Sequence, residues 1–237
     1  MLETIDLLQV LVLDIETVSQ KATYTELPGN FQELWAHKMR NSLNEGQTVA
    51  DVYPDAGLYA EFGKIICISV GVFHQQHGQT GFRVKSFARG DERQVLMEFS
   101  ALLRKQPNNL MLCGHNGKGF DFPYICKRLL INGITIPQQL DISGKKPWEI
   151  PHLDTMELWR FGDFRNAASL NLMAAVLGIP SPKDDISGED VYKVYYGENN
   201  LDRIRVYCEK DVITTAQILR RLRNEPLIEK EAISFAE

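Results

Sequence analysis

Two acids stand one residue apart in the stretch Leu11-Val12-Leu13-Asp14-Ile15-Glu16-Thr17. Residues 7–13 are apolar except for Gln9, so the stretch reads as a strand entering a core. On a strand, residues i and i+2 point to one face, so Asp14 and Glu16 would project together. Two carboxylates held side by side near apolar surroundings repel each other and are costly to desolvate. A divalent cation that takes hard oxygen ligands relieves both problems. Alone, such a pair is more simply a strand end facing water. What decides between the two is whether other acids join it.

Two further acids do. In His115-Asn116-Gly117-Lys118-Gly119-Phe120-Asp121-Phe122-Pro123-Tyr124-Ile125, a strand ends, a glycine-rich loop turns and Asp121 opens a helix. An acid there would also serve as a plain helix cap. In Tyr207-Cys208-Glu209-Lys210-Asp211, Tyr207 and Asp211 are four residues apart and share a helix face. Asp211 falls in an otherwise apolar stripe, where a lone charge needs a partner, either a cation site or a buried basic residue.

Together, Asp14-Ile15-Glu16, Asn116-x-x-x-Phe120-Asp121 and Tyr207-x-x-x-Asp211 resemble the three motifs of the DEDD superfamily of 3′-5′ exonucleases, which carry the ribonuclease H-like fold. Tyrosine four residues before Asp211 matches the tyrosine subclass. The histidine subclass would place its histidine at the position held by Val206. Residues 116–125 (NGKGFDFPYI) resemble the second motif of the proofreading domain of family B DNA polymerases. A helix opening at Ser169-Leu170 and ending at Gly178-Ile179, with Lys183 soon after, fits the same group. The resemblance covers most of residues 7–222. No polymerase domain fits in 237 residues, so it implies a stand-alone relative.

The resemblance implies an α/β, ribonuclease H-like fold with a mixed sheet of five or six strands flanked by helices. It also implies hydrolysis assisted by two Mg²⁺ or Mn²⁺ ions. Asp14, Glu16 and Asp211 would hold the ion that activates water. Asp14 would bridge to the second ion, with Asp121 helping, partly through water. Tyr207 would orient the attacking water. An unperturbed tyrosine titrates near about 10, so orientation suits it better than base action. By motif position, Thr17 would meet the terminal 3′-hydroxyl and Asn116 the penultimate backbone. Phe120 and Lys183 complete the expected substrate contacts. Phe122, Tyr124 and Phe164 are further stacking candidates. Arg160, Arg165, Arg203, Arg205 and Lys210 are candidate phosphate contacts, although scattered bases are more often solvated surface. His152 and Asp154 would support the site from behind, Asp154 most simply by bonding a helix terminus.

The expected activity is removal of nucleotides from single-stranded DNA 3′ ends. Such sites work by stacking and backbone contact, without base readout. The alternatives are an exoribonuclease, or a silent nucleic-acid-binding module on the same fold. A polymerase or repair protein acting in trans is the partner this reading suggests.

The elements that must position these residues follow from periodicity. Residues 7–17 read as a central strand, 64–73 as a buried strand, 74–81 as a polar turn and 82–87 as its hairpin partner. Residues 91–105 carry a helical stripe, 110–113 a short strand, 121–131 a helix and 150–154 a fifth strand. Ser169 caps a helix ended by Gly178, and 201–222 form the last long helix. Residues 18–62 exceed ordinary loop length and read as an insertion, either with helices of its own or as a lid. Residues 224–237 form a tail, and the whole is one domain.

Composition excludes several classes. The net charge of -5 argues against holding nucleic acid by bulk positive charge, though not against a local patch. Cys67, Cys113, Cys126 and Cys208 are far apart and mostly in apolar runs, so they read as reduced core residues of a cytoplasmic protein. No apolar run approaches the roughly 20 residues of a membrane span, and no signal peptide is expected.

Overall fold

The computed structural model describes residues 2–76, 78–163, 165–180 and 185–236. Its centre is a six-stranded mixed sheet in the order β5-β4-β1-β2-β3-β6. The strands are β1 (Val10–Ser19), β2 (Gly63–Gln76), β3 (Gln79–Ala88), β4 (Met111–Gly114), β5 (Leu153–Asp154) and β6 (Ile233–Ala236). The helices are α1 (Gly29–Met39), α2 (Glu92–Arg104), α3 (Asp121–Ile131), α4 (Thr155–Arg160), α5 (Leu170–Val176), α6 (Val191–Tyr196) and α7 (Leu201–Leu222). β1 pairs antiparallel with β2 and parallel with β4, while β4 continues parallel to β5. The mixed α/β sheet expected from the motifs is therefore present, with six strands.

Several boundaries differ from the periodic reading. Residues 7–9 form a 3₁₀ turn capped by the Asp6 side chain, so β1 begins at Val10 and runs on to Ser19. Most of the expected 74–81 turn is strand, because Gln76 pairs with Gln79 across the hairpin. Polar residues are tolerated there because this end of the hairpin is exposed. The tail supplies β6, which lies parallel to β3.

Alternation along β1 divides the core. Leu11, Leu13 and Ile15 face the cluster that holds Val95, Leu96 and Phe99 of α2 with Phe122 and Ile125 of α3. Val10 and Val12 face the opposite cluster, with Val212, Ala216 and Leu219 of α7. The even-numbered face of β1, to which Asp14 and Glu16 belong, is thus the face toward α7.

The 18–62 insertion has a core of its own around Trp35, Met39, Tyr53 and Phe62. It is bonded into the sheet at several points. Thr17 Oγ1 and the Tyr124 hydroxyl both donate to the Gly57 carbonyl, each at 2.8 Å. Arg128 donates to the Ala60 carbonyl at 2.8 Å while pairing with Glu92. Glu92 also accepts the Ile65 N–H at 2.7 Å. A side chain at position 57 would place its Cβ 3.0 Å from Val18 Cα, so the close approach of insertion and strand requires glycine there.

His152 anchors the other side of the sheet. The Leu112 N–H donates to its Nδ1 at 3.1 Å, which leaves the ring proton on Nε2, 2.8 Å from the Gln139 carbonyl. Burial pushes its pKa down to about 4. The unfolded chain, with a value near about 6.5, therefore takes up the proton first as pH falls. The stability is present above about pH 6.5 and is lost on the way down through the folded value. Between pH 7 and 5 this contribution should fall by about 2 kcal/mol. Urea unfolding at the two pH values should show a steeper loss in the wild type than in His152→Gln, and equal slopes would refute the assignment.

Candidate active site

Asp14 and Glu16 reach the α7 side of β1 where the strand leaves its neighbour. β4 pairs with β1 only over Val10, Leu11 and Val12. Beyond that point the Ile15 N–H has lost a strand partner on that side. Asp121, the first residue of α3, accepts it through Oδ1 at 3.1 Å. One uncovered strand edge thus draws the carboxylate of the second motif onto the strand that carries the first.

α7 brings the third motif. Its inward residues Cys208, Val212 and Ala216 recur at four-residue spacing and pack toward the sheet. Cys208 Sγ lies 3.4 Å from Asp14 Oδ2. The ligand atoms of Asp14, Glu16 and Cys208 all lie within 4.8 Å of one another. Tyr207 and Asp211 stand four residues apart on the adjoining face, close enough for the Asp211 charge to bear on the Tyr207 hydroxyl.

Electrostatics place all four acids in one field. Burial holds the Asp14 carboxyl well above the usual range, and the charges of Asp121, Glu16 and Asp211 raise it further. Burial does the same to Glu16, with Asp211 next among the causes. Asp121 is pushed up to about 7 by burial, against the pull of the Ile15 N–H. Burial and the neighbouring Asp211 also raise the Tyr207 hydroxyl, so it is a neutral phenol at physiological pH.

Glu16 decides whether a cation fits. It is 8% exposed, and among the described residues its carboxylate has no hydrogen-bond or ion-pair partner. A buried acid without a partner, aimed at a second acid, is costly by itself and is suited to a divalent ion. The donor set of hard oxygens fits Mg²⁺ or Mn²⁺.

The other expected contacts separate. Asn116 is exposed, with left-handed backbone at φ 62°, a conformation asparagine tolerates. Phe120 is half-buried and lies with its ring 5.2 Å from that of Tyr124. The Thr17 hydroxyl donates to the Gly57 carbonyl, which ties this motif position to the insertion. Phe122 and Tyr124 are buried in the core, because α3 turns these positions toward α2, and neither is a stacking surface. Lys183 and Phe164 lie outside the described residues. Arg165, Arg203 and Arg205 are each paired with carboxylates, Arg203 with Asp185 and Glu198.

Two residues contribute more than the sequence suggested. Asp154 accepts the backbone N–H groups of Asn116 and Lys118, both at 3.0 Å, as well as those of Met156 and Glu157. It caps α4, as expected of a strand-end acid, and also fixes the glycine-rich loop that leads into Asp121. Cys208 was legible only as a core residue; its spacing three before Asp211 was the available signal.

A family model described as "Predicted 3'-5' exonuclease related to the exonuclease domain of PolB" matches residues 58–226. The chain belongs to this family. The match begins after β1, so Asp14 and Glu16 lie outside it while Asp121, Tyr207 and Asp211 lie within it. A DNA polymerase of Archaeoglobus fulgidus is 27% identical over 142 residues, covering 56% of this chain and 18% of the polymerase. A solved family B DNA polymerase from Pyrobaculum calidifontis shares the fold, with a TM-score of 0.51 and 19% identity over 89% of this chain and 24% of that one. The chain thus spans about a fifth to a quarter of the length of these polymerases.

Asp154→Ala should leave four backbone donors without their acceptor and destabilise the fold by about 2–4 kcal/mol. Chemical denaturation measures this, and a loss below about 0.5 kcal/mol would remove Asp154 from the support of the loop. In metal-free buffer Glu16→Gln should do the opposite. It removes a buried, repelled charge, so the melting temperature should rise at about 2–4 °C per kcal/mol relieved.

Proposed function

We propose that the chain is a metal-dependent 3′-5′ exonuclease that removes nucleotides from single-stranded DNA ends. The observation that carries this reading is the pair Asp14 and Glu16, with ligand atoms within 4.8 Å of each other, Asp121 bonded to the Ile15 N–H between them, and the charge of Asp211 bearing on both. Separate strand and helix elements bring these acids together against their mutual repulsion. Membership of the exonuclease family supports the reaction class, and the two archaeal DNA polymerases support DNA as the substrate.

Asp14, Glu16 and Asp211 would hold one divalent ion, with Asp14 and Asp121 turned toward a second. When bound, the ions would neutralise the carboxylates and stabilise the attacking and leaving oxygens of an in-line displacement. Tyr207 carries a phenol that ordinarily titrates near about 10, well above physiological pH. It would orient the attacking water by hydrogen bonding and leave proton removal to other groups. Asn116, exposed on the loop that Asp154 holds, would meet the substrate backbone. Phe120 offers a half-buried ring beside it. Contact through Lys183 remains part of the proposal by motif position alone.

Incubating 5′-labelled single-stranded DNA and RNA with Mg²⁺ or Mn²⁺ tests the reading. DNA should shorten as a ladder, and Asp14→Ala and Asp211→Ala should each lower the rate at least about a thousandfold. Tyr207→Phe should lower it about ten- to a hundredfold while leaving metal affinity unchanged. Mn²⁺ at a hundred times its Kd should stabilise the wild type by about 2.7 kcal/mol, and Asp14→Ala should lose this stabilisation. Shortening of RNA alone would make the chain an exoribonuclease. Binding of either strand without any metal-dependent shortening would make it a silent module.

A further inference from the structure

Cys208 changes the chemistry available at the same point. Its sulfur is 3.4 Å from Asp14 Oδ2, and it shares a 4.8 Å neighbourhood with the carboxylates of Asp14 and Glu16. Sulfur is a poor ligand for Mg²⁺ and a strong one for zinc-class ions. The second observation is Glu16 itself, a residue 8% exposed whose carboxylate belongs to this triad and has no hydrogen-bond or ion-pair partner among the described residues. A second thiol, Cys67, stands opposite Glu16 in the β1–β2 pairing, with its sulfur 3.7 Å from Ser69 Oγ. It is outside the triad of mutually close ligand atoms.

We propose that Asp14, Glu16 and Cys208 form a mixed carboxylate–thiolate site for a thiophilic divalent ion of the zinc class, which competes with the hard ions of the hydrolytic site. This rests on the exonuclease reading in that the same two carboxylates serve both. Uptake forms one sulfur–metal bond and releases the Cys208 thiol proton to solvent; no group is oxidised or reduced. The ion would sit deeper toward α7 than a hard ion held by oxygens alone. Occupation would withdraw Asp14 and Glu16 from Mg²⁺ or Mn²⁺, so low concentrations of a soft ion would inhibit hydrolysis.

The test titrates the full chain with Cd²⁺ in a buffer free of small thiols, following the ultraviolet sulfur-to-cadmium charge-transfer band. One equivalent should produce a saturable band. Cys208→Ser should abolish it and weaken Cd²⁺ binding on the order of a hundredfold, and Asp14→Asn should weaken it as well. Cys67→Ser should retain it. Circular dichroism of each variant checks folding, and Cys208→Ala stands in should the serine variant fail to fold. A wild type without the band, a band that survives loss of Cys208, or one lost with Cys67 alone would overturn the proposal. A parallel Mn²⁺ titration by calorimetry separates the two readings. Mn²⁺ uptake dependent on Asp14, without a cadmium–sulfur band, would sink the soft-ion site and leave the hard-ion site standing. A band in a protein that shortens no oligonucleotide would sink the exonuclease reading and support the triad.

Discussion

Asp14, Glu16, Asp121 and Asp211 repel one another where two of them, Glu16 and Asp121, are buried, and much of the fold is arranged so that they cannot separate. β1 is fixed by β2 along its length and by β4 over Val10, Leu11 and Val12. Where β4 ends, the freed Ile15 N–H binds Asp121. On the other face, Val212, Ala216 and Leu219 of α7 pack against Val10 and Val12 and carry Cys208 and Asp211 toward the acids. Apolar burial on both faces of one strand supplies the work that holds like charges together. A unit assembled in this way is less stable without a cation than its packing alone would make it, as functional sites commonly are.

The surroundings keep the assembly in register. Asp154 gathers four backbone donors and so ties the loop before Asp121 to the start of α4. The insertion between β1 and β2 contributes the Gly57 carbonyl, which receives hydroxyls from Thr17, next to Glu16, and from Tyr124, three residues beyond Asp121. Its own apolar core makes it a packed part of the molecule. An insertion bonded to two of the motif-bearing elements bears on the precision of the site whether or not any of its residues meets a substrate.

The family match and the geometry emphasise different parts of the chain. The matched segment starts at residue 58 and takes in the second and third acidic motifs. The strand that carries the first motif lies before it, yet β1 is the element around which the other acids gather. The fold shared with an archaeal family B polymerase extends over 89% of the chain.

Much of this arrangement could be read from the order of residues. Alternation placed Asp14 and Glu16 on one face, four-residue spacing paired Tyr207 with Asp211, and a glycine-rich turn put Asp121 at a helix start, because strand and helix periods are local properties of the chain. Turn chemistry and caps gave the main helices nearly to the residue. The short range of these signals is also where they stop. The polar end of the β2–β3 hairpin looked like a loop, and the tail carried no mark of β6, because strand pairing there depends on distant partners. Thr17 and Tyr124 were legible as motif positions but not as ligands of Gly57, which lies 40 and 67 residues away in the chain. Cys208 was one more apolar residue on a helix until α7 met β1. Residue types and spacing determined which groups could do chemistry here; the packing of α7 on one face of β1, and the binding of Asp121 to its uncovered edge, decided which of them stand close enough to act together.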